Sequence, residues 1–543
     1  MFIVYGLCYD TAMQVLVRQI TVPLDYTDQD LCTALCKKLQ CAPEAITRIA
    51  VQRRSLDARP RFPQPHYVLS VGVDVETDSL PSDGDIEKHP NQVSWTPPRA
   101  QNVCSQPPVV VGAGPAGLMA AWVLARAGAR PILIDRGDAA LARAKRVTGF
   151  WKNGTLDPES NVLYGVGGAG LFSDGKLTTR TKDRLRLRGF FQVLVDCGAD
   201  PSILVEAEPH LGSDVLLRLV PRLCETIEAL GGTVQCRTRL TGIVTSPDAV
   251  QALRCTGPAG DQEIGTDTCI LATGHSARDV YHLLATTGVP LAAKPFGVGV
   301  RLELPQQTIN RGQYGRHVDH PCLGAASFRL TRRPEDGRRA CYSFCMCPGG
   351  RVIACASEPG RLTTNGMSHA SRDLPWGNAA FLVPVAPEDY PETDHPELAG
   401  IEFQRCFEKA AFDAGGGDYG LAASRLTDFL ASTVSRDLPT DRSCARAVPA
   451  DLNAMLPDTV GVTLRGAMAP MLRQINGASL EEVLLYATET RSSSPVRVVR
   501  DDTGQSTGLN GLYPAGEGAG YAGGITTSAL DGMRAAEACL RRN

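Results

Sequence analysis

No apolar run in this chain reaches the roughly 20 residues that a membrane-spanning helix requires. That predicts a protein with no membrane partner. The amino terminus, MFIVYGLCYDTA, is apolar but lacks a basic leader and a cleavage site, so no export signal is expected. Regular patterning begins near Met13, and residues 1–12 read as a start-site extension. The chain carries 18 cysteines, yet no two stand in Cys-x-x-Cys spacing, which removes the usual zinc and thioredoxin-type motifs. Cys32, Cys36 and Cys41 fall on or beside an amphipathic helix with Leu31, Leu35 and Leu39, a packing pattern rather than a metal site. Scattered thiols without an export signal predict a reducing, cytoplasmic location and no metal. Large charge is missing too. A net charge of −3 favours neither nucleic acid nor an anionic surface. Tandem repeats and low-complexity tracts are also lacking.

Glycine is plentiful, at 54 residues, and the informative ones cluster. Val109 to Gly137 reads VVVGAGPAGLMAAWVLARAGARPILIDRG. An apolar strand leads into Gly112-Ala113-Gly114, then a helix opens at Pro115-Ala116-Gly117. In this pattern Gly112 permits the turn and Gly114 admits a pyrophosphate to the backbone. Gly117 lets the helix pack on the strand. The helix N-terminus offers free N–H groups to the phosphates. A second strand ends in Asp135-Arg136, and Asp135 lies 18 positions beyond Gly117 (135 minus 117), where a ribose hydroxyl needs an acceptor. Strand, turn, helix, strand and acid in this order predict a dinucleotide site, either FAD or NAD.

The remaining pattern divides the chain. Residues 14–22, a helix from Asp28 to Leu39 capped by Thr27, and strands at Ile46–Arg53 and Tyr67–Val75 form a small α+β, ferredoxin-like unit over residues 1–90. Glu76 to Pro108 is rich in Pro, Ser, Asp and Asn, which makes 91–108 a linker. Residues 109–290 and 480–543 read as a Rossmann-like α/β domain. The stretch 291–479, with short alternating strands at Gly297–Leu304, Arg339–Met346, Arg351–Ser357 and Ala380–Val385, reads as an inserted antiparallel-β substrate domain. Thr233–Arg239 and Leu240–Thr245 are expected to form a strand pair.

Leu512 to Ile525, LYPAGEGAGYAGGI, is a second glycine-rich strand-to-helix turn. Here the chain resembles flavoproteins with two dinucleotide-binding domains. In those the late acid, here Glu517, takes a ribityl hydroxyl of FAD, and the following helix aims its N-terminus at the flavin. The longer stretches GGAGLFSDGKLTTR, ATGHSARD, KPFGVGVRLE, YSFCMCPGG, NGMSHASRD and ETRSSSPVR resemble a family of FAD-dependent dehydrogenases of unassigned reaction. The resemblance covers nearly the whole chain and includes RRSLDAR of the small unit. One departure is Val166, where an acidic residue is expected.

The resemblance implies FAD held by Gly112, Gly114, Pro115, Ala116, Gly117, Asp135 and Arg136. It further implies contacts from Gly167, Gly168, Gly170 and Gly274, and from Gly516, Glu517, Gly523, Gly524 and Ile525. Lys176, Asp174 and Arg491 are the candidate catalytic residues. Lys176 either tunes the flavin and positions a substrate acid or simply pairs with Asp174. Arg491 and Arg301 are either forks for a substrate carboxylate or phosphate, or ion-pair partners of Glu489 and Glu303. His275 reads as a hydrogen-bonded loop histidine, with a proton-donor role as the rival. Cys345 and Cys347 read as structural thiols, their redox alternative being a small strained ring. A second nucleotide motif for NAD(P)H is missing, which leaves NAD(P)H as a transient electron donor. The expected function is hydride transfer between a small-molecule substrate and flavin N5, with an unspecified electron acceptor. The alternatives are a flavin monooxygenase, an RNA-associated flavoprotein using the arginines of the small unit, and a flavoprotein without turnover. Nucleic acid is disfavoured because no aromatic platform accompanies those arginines.

Overall fold

Short apolar segments such as VVV, CIL and ILI can satisfy their backbone only between neighbours on both sides, with the more polar TVQ taking an edge. The computed structural model shows them doing so. It describes residues 12–59, 61–77, 79–88, 95–99, 106–334 and 339–541. The expected extension at 1–12 falls outside this range except for Ala12, as does much of the expected linker. The segments form an all-parallel sheet in the order Leu512–Pro514, Cys269–Leu271, Val109–Val111, Ile132–Ile134, Thr233–Gln235. This is the Rossmann-like order, in which the first strand is central and the chain reverses direction of build-up beside it. Helices Pro115–Arg126, Gly212–Ala229 and Ile525–Arg541 pack around the sheet.

The chain divides into two units. The first comprises residues 1–95 with 200–209 and 313–324. Its sheet runs Ile46–Asp57, His66–Val75, Met13–Val22, Ile86–Lys88, with all neighbours antiparallel. This is the ferredoxin-like strand order, reached with one helix. That helix, Asp28–Leu39, begins in a capping box in which Thr27 and Asp30 exchange hydrogen bonds, and buries Leu31, Leu35 and Leu39. Short strand Ile86–Lys88 lies beyond Val75, in the proline- and serine-rich stretch. Two of the unit's arginines are internally engaged: Arg54 with Glu206, and Arg59 with Asp57.

The second unit, residues 96–199, 210–312 and 325–543, holds the parallel sheet and a seven-stranded sheet together. The seven-stranded sheet runs Thr331–Arg332, Cys341–Cys347, Trp376–Val385, Phe296–Pro305, Leu484–Glu489, Leu421–Arg425, Ala447–Pro449. Only its last pair is parallel. Leu484–Glu489 therefore belongs to the antiparallel sheet, so the expected boundary at 479 falls short of the strand that completes it. The expected pair at Thr233–Thr245 also divides. Thr233–Gln235 joins the parallel sheet, and Arg239–Thr245 opens a separate three-stranded antiparallel sheet. The division falls where Arg237 adopts φ +55° and Thr238 N–H donates to Asp135 O at 2.8 Å, taking the chain out of extended geometry.

Candidate active site

The first glycine turn is built by close approach. Gly112 has φ +99°, and its N–H donates to Ile134 O at 2.7 Å. A Cβ on Gly117 would stand 1.7 Å from Gly112 O, so only glycine lets the helix lie against the turn. Helix Pro115–Arg126 has Pro at its start and no side chain capping it, which leaves its first N–H groups available to an anion. Asp135 accepts from Ala113 N–H at 2.7 Å and Gly137 N–H at 2.8 Å. Burial raises its pKa, and those two bonds oppose the rise. Its carboxylate thus braces the turn as well as facing the cavity. Arg136 is held by Glu159 and Asp279 and stacks over Tyr164, 4.5 Å from the ring centroid.

Loop 161–168 is organised by a residue that the glycine motifs do not reveal. Arg143 is fully buried and donates to five carbonyls: Asn161, Val162 and Gly168 at 2.8 Å, and Gly165 and Val166 at 3.1 Å. Burial pulls its pKa down to about 9, with the charge of Asp135 acting in the other direction. Ala140, Arg143, Val147 and Phe150 are all buried on helix Ala140–Asn153. An arginine within that helical stripe was the available signal.

These turns border one cavity of about 280 Å³. Of the residues expected to hold FAD, Gly112, Gly114, Pro115, Ala116, Asp135 and Arg136 face it. So do Gly168, Gly170 and Gly274, and Gly516, Glu517, Gly524 and Ile525. Gly117, Gly167 and Gly523 are not on its wall. Gly117 is taken up by helix–strand packing, and Gly167 borders a separate small pocket with Leu171. Glu517 is partly buried on the wall. Burial pushes its carboxyl up to about 7, against a bond from Gly524 N–H and the charge of Lys294.

The cavity is also bordered by Lys176, Phe344, Cys345, Asn365 and Ser492. Lys176 Nζ lies 3.7 Å from Asp174, but Asp174 is already held by Ser368 and by Arg372 at 2.5 and 3.0 Å. Asp174 is 1% exposed, so it is an anchor for Arg372 and not a free base. Arg491 also differs from its expected pairing. It forms two 2.8 Å bonds to Glu408, which also takes Arg278, and a 2.7 Å bond to Ser357. Against burial, Arg278 and Arg491 hold Glu408 well below the usual carboxylate range. Arg301 binds Glu489 at 2.7 and 2.8 Å, while Glu303 is engaged by Ser443 and Tyr486. The reason is geometric: residues on adjacent strands approach more closely than residues two apart on one strand. Arg491 lies past the end of its strand and turns toward helix Ala399–Ala414. That helix buries Ile401, Gln404, Glu408 and Ala411, another stripe whose charged member marked the partner.

His275 departs from the expected hydrogen-bonded histidine. Its Nδ1 is buried without a hydrogen-bond partner. Burial, then Arg491 and Arg278, hold its pKa down to about 3, so it is a neutral imidazole on the cavity wall. Among the described residues no group of three or more potential metal ligands is present, and no helix is long and apolar enough to cross a membrane.

The shape, the uncapped helix N-terminus and the glycine walls fit FAD. The sequence comparisons agree. Residues 106–155 match an FAD binding domain, and residues 295–492 match the C-terminal domain of FAD-dependent proteins, ending just past Leu484–Glu489. Residues 13–74 match a domain of unknown function. An uncharacterized protein of Clostridium beijerinckii is 39% identical over 98% of this chain and 99% of its own length. The chain belongs to that family of FAD-dependent proteins, and it is an FAD-dependent oxidoreductase.

Solved structures with a similar fold include the glycerol-3-phosphate dehydrogenase of Bacillus halodurans complexed with FAD (10% identity, 81% of this chain, 65% of that chain, TM-score 0.35). A flavocytochrome c3 fumarate reductase in its open conformation matches at 12% identity over 80% and 78% of the two chains, TM-score 0.34. The p-nitrophenol 4-monooxygenase of Pseudomonas putida matches at 12% over 56% and 63%, TM-score 0.29. The chain spans less than two thirds of the length of the first and third, and at these scores none carries an argument about the reaction.

Proposed function

We propose that the protein is a dehydrogenase acting on a small organic acid, with Asp135 and Arg136 at the adenosine end of FAD and Lys176 at the flavin end. Bound FAD supplies two-electron redox chemistry. The observation that carries the substrate class is Lys176. It faces the cavity, and its carboxylate neighbour Asp174 is already held by Arg372 and Ser368, which leaves the lysine able to pair with a substrate anion. Arg491 also lines the cavity, but its charge is paired with Glu408 and it bonds Ser357, so it holds the wall rather than serving as the main anion site. Glu517 takes a ribityl hydroxyl, and the uncapped helix at Pro115 takes the pyrophosphate. NAD(P)H serves as a transient donor.

The test is an anaerobic titration of the purified protein with NADH and NADPH, followed by small organic acids, while the visible spectrum is recorded. Bleaching of retained FAD by one of them, with slow reoxidation in air, is expected. Rapid reoxidation through a transient oxygen adduct would replace this reading with a monooxygenase. Retained FAD that no donor reduces would overturn turnover altogether.

A further inference from the structure

We propose that Cys345 and Cys347 form a redox-active dithiol/disulfide pair at the substrate end of the cavity and exchange an electron pair with bound FAD. The inference rests on the reading of this cavity as the flavin site.

The backbone places the pair there. Cys341–Cys347 runs antiparallel to Trp376–Val385, with Phe344 opposite Ala380 and Cys347 opposite Asn378. Three steps on one strand match two on the other, so the strand carries a bulge at Cys345-Met346. Cys345 sits in it at φ +44°, a left-handed conformation that a cysteine in a strand does not ordinarily adopt. Bulges re-aim side chains, and they concentrate beside active sites. Here the result is that Cys345 borders the cavity beside Lys176 and Asn365, while Cys347 is fully buried behind it.

Arg301 holds the bulge in place. From within the sheet its guanidinium donates to Cys345 O at 3.3 Å, Asn378 Oδ1 at 2.8 Å and Glu489 at 2.7 and 2.8 Å. The Cys347 S–H donates to the backbone carbonyl of Cys345 at 3.4 Å, which folds its thiol back onto the bulge. Their electrostatics separate them. The neighbouring Cys347 thiol, then Arg301 and Lys176, hold the Cys345 thiol down against burial, while the Cys345 sulfur and burial push Cys347 up. The other buried thiols of this sheet region behave differently: burial pushes Cys341 and Cys355 up to about 12. An ionised thiol facing the ligand with a protonated thiol at its back is the arrangement thiol–disulfide chemistry needs.

The step balances. The Cys345 thiolate and the Cys347 thiol lose two electrons and the Cys347 proton, and the Sγ–Sγ bond forms. FAD takes up the two electrons with that proton and one from solvent. The reverse step breaks the disulfide at the expense of reduced flavin. A ring closed by Cys-x-Cys is small and strained, which favours easy reduction over a permanent crosslink.

The experiment is an anaerobic dithionite titration of the flavin-loaded, air-oxidised protein, paired with iodoacetamide labelling and peptide mass analysis. Wild type is expected to consume one electron pair more than its flavin accounts for. C345S and C347S should consume only the flavin's pair. In oxidised wild type, unfolded before labelling, Cys345 and Cys347 should resist label and their peptide be lighter by two hydrogens, with only Cys341 of that peptide labelled, and after reduction both should take label. Flavin-loaded wild type that takes up a single pair, with both thiols alkylated before reduction, overturns the pair and leaves the flavin site standing. The labelling needs no variant, so misfolding of a serine variant cannot obscure it. A purified protein that neither retains nor rebinds FAD overturns the reading of the cavity itself.

Discussion

The guanidinium of Arg143 donates to the carbonyl oxygen of Gly168 at 2.8 Å, and to four further carbonyls of the loop that walls the cavity. A buried cation with five carbonyl acceptors is a clamp on backbone conformation. Arg143→Met should orphan these oxygens and cost at least about 3 kcal/mol, since each unpaired buried group costs roughly 1–3 kcal/mol. Thermal denaturation and the flavin-to-protein absorbance ratio measure it. A variant that keeps both its melting temperature and its FAD would show that the loop holds its shape without the clamp.

Gly117→Ala places a methyl group where Gly112 O already stands, 1.7 Å from the new Cβ. The helix must lift from the turn. Overpacking of this kind costs about 1–3 kcal/mol, and FAD retention should fall more steeply than stability because the turn itself moves. Chemical denaturation beside flavin content after gel filtration separates the two losses.

Glu517 links stability to pH. Burial raises its carboxyl from 4.5 to about 7 in the folded chain. Between those values the folded state keeps a proton that the unfolded state has released, so stability falls as pH rises through that window. The flavin-free protein should therefore lose melting temperature between about pH 4.5 and 7 through this group, and Glu517→Gln should flatten that slope. If the variant and wild type give parallel profiles, the carboxyl is not protonated in the fold.

Glu408 joins Arg278 and Arg491 at 2.8 Å each in a buried network. Glu408→Gln leaves two buried guanidinium groups short of charge and should cost about 3–5 kcal/mol. Wild-type Glu408 titrates below the usual carboxylate range. Its contribution is present above the unfolded carboxyl's pKa and is lost only as pH falls through strongly acid values. Equal stability of the variant at neutral pH would mean that water screens the network.

Both glycine motifs were legible because backbone chemistry demands glycine in fixed register: a turn, a free helix N-terminus and a carboxylate at the next strand end. The same logic made the α/β class and the ferredoxin-like unit readable, since strand and helix periods are local. Gly112, Asp135 and Glu517 could thus be expected beside one ligand from the chain alone, and all three line one cavity. Pairings of charge could not. Arg491 finds Glu408 and Arg301 finds Glu489 because sheet register and one helix face bring them together across 83 and 188 positions. Such contacts follow from how elements pack, and nearest neighbours in sequence are poor guides to them. The buried arginine at 143 and the bulge at Cys345 belong to the same class. Sequence by itself determined the glycine turns and the strand-end acids of the dinucleotide pattern, because those depend on a few adjacent residues. Only the tertiary structure decided which charges are already neutralised and which face the cavity, because electrostatics and burial are properties of the packed whole.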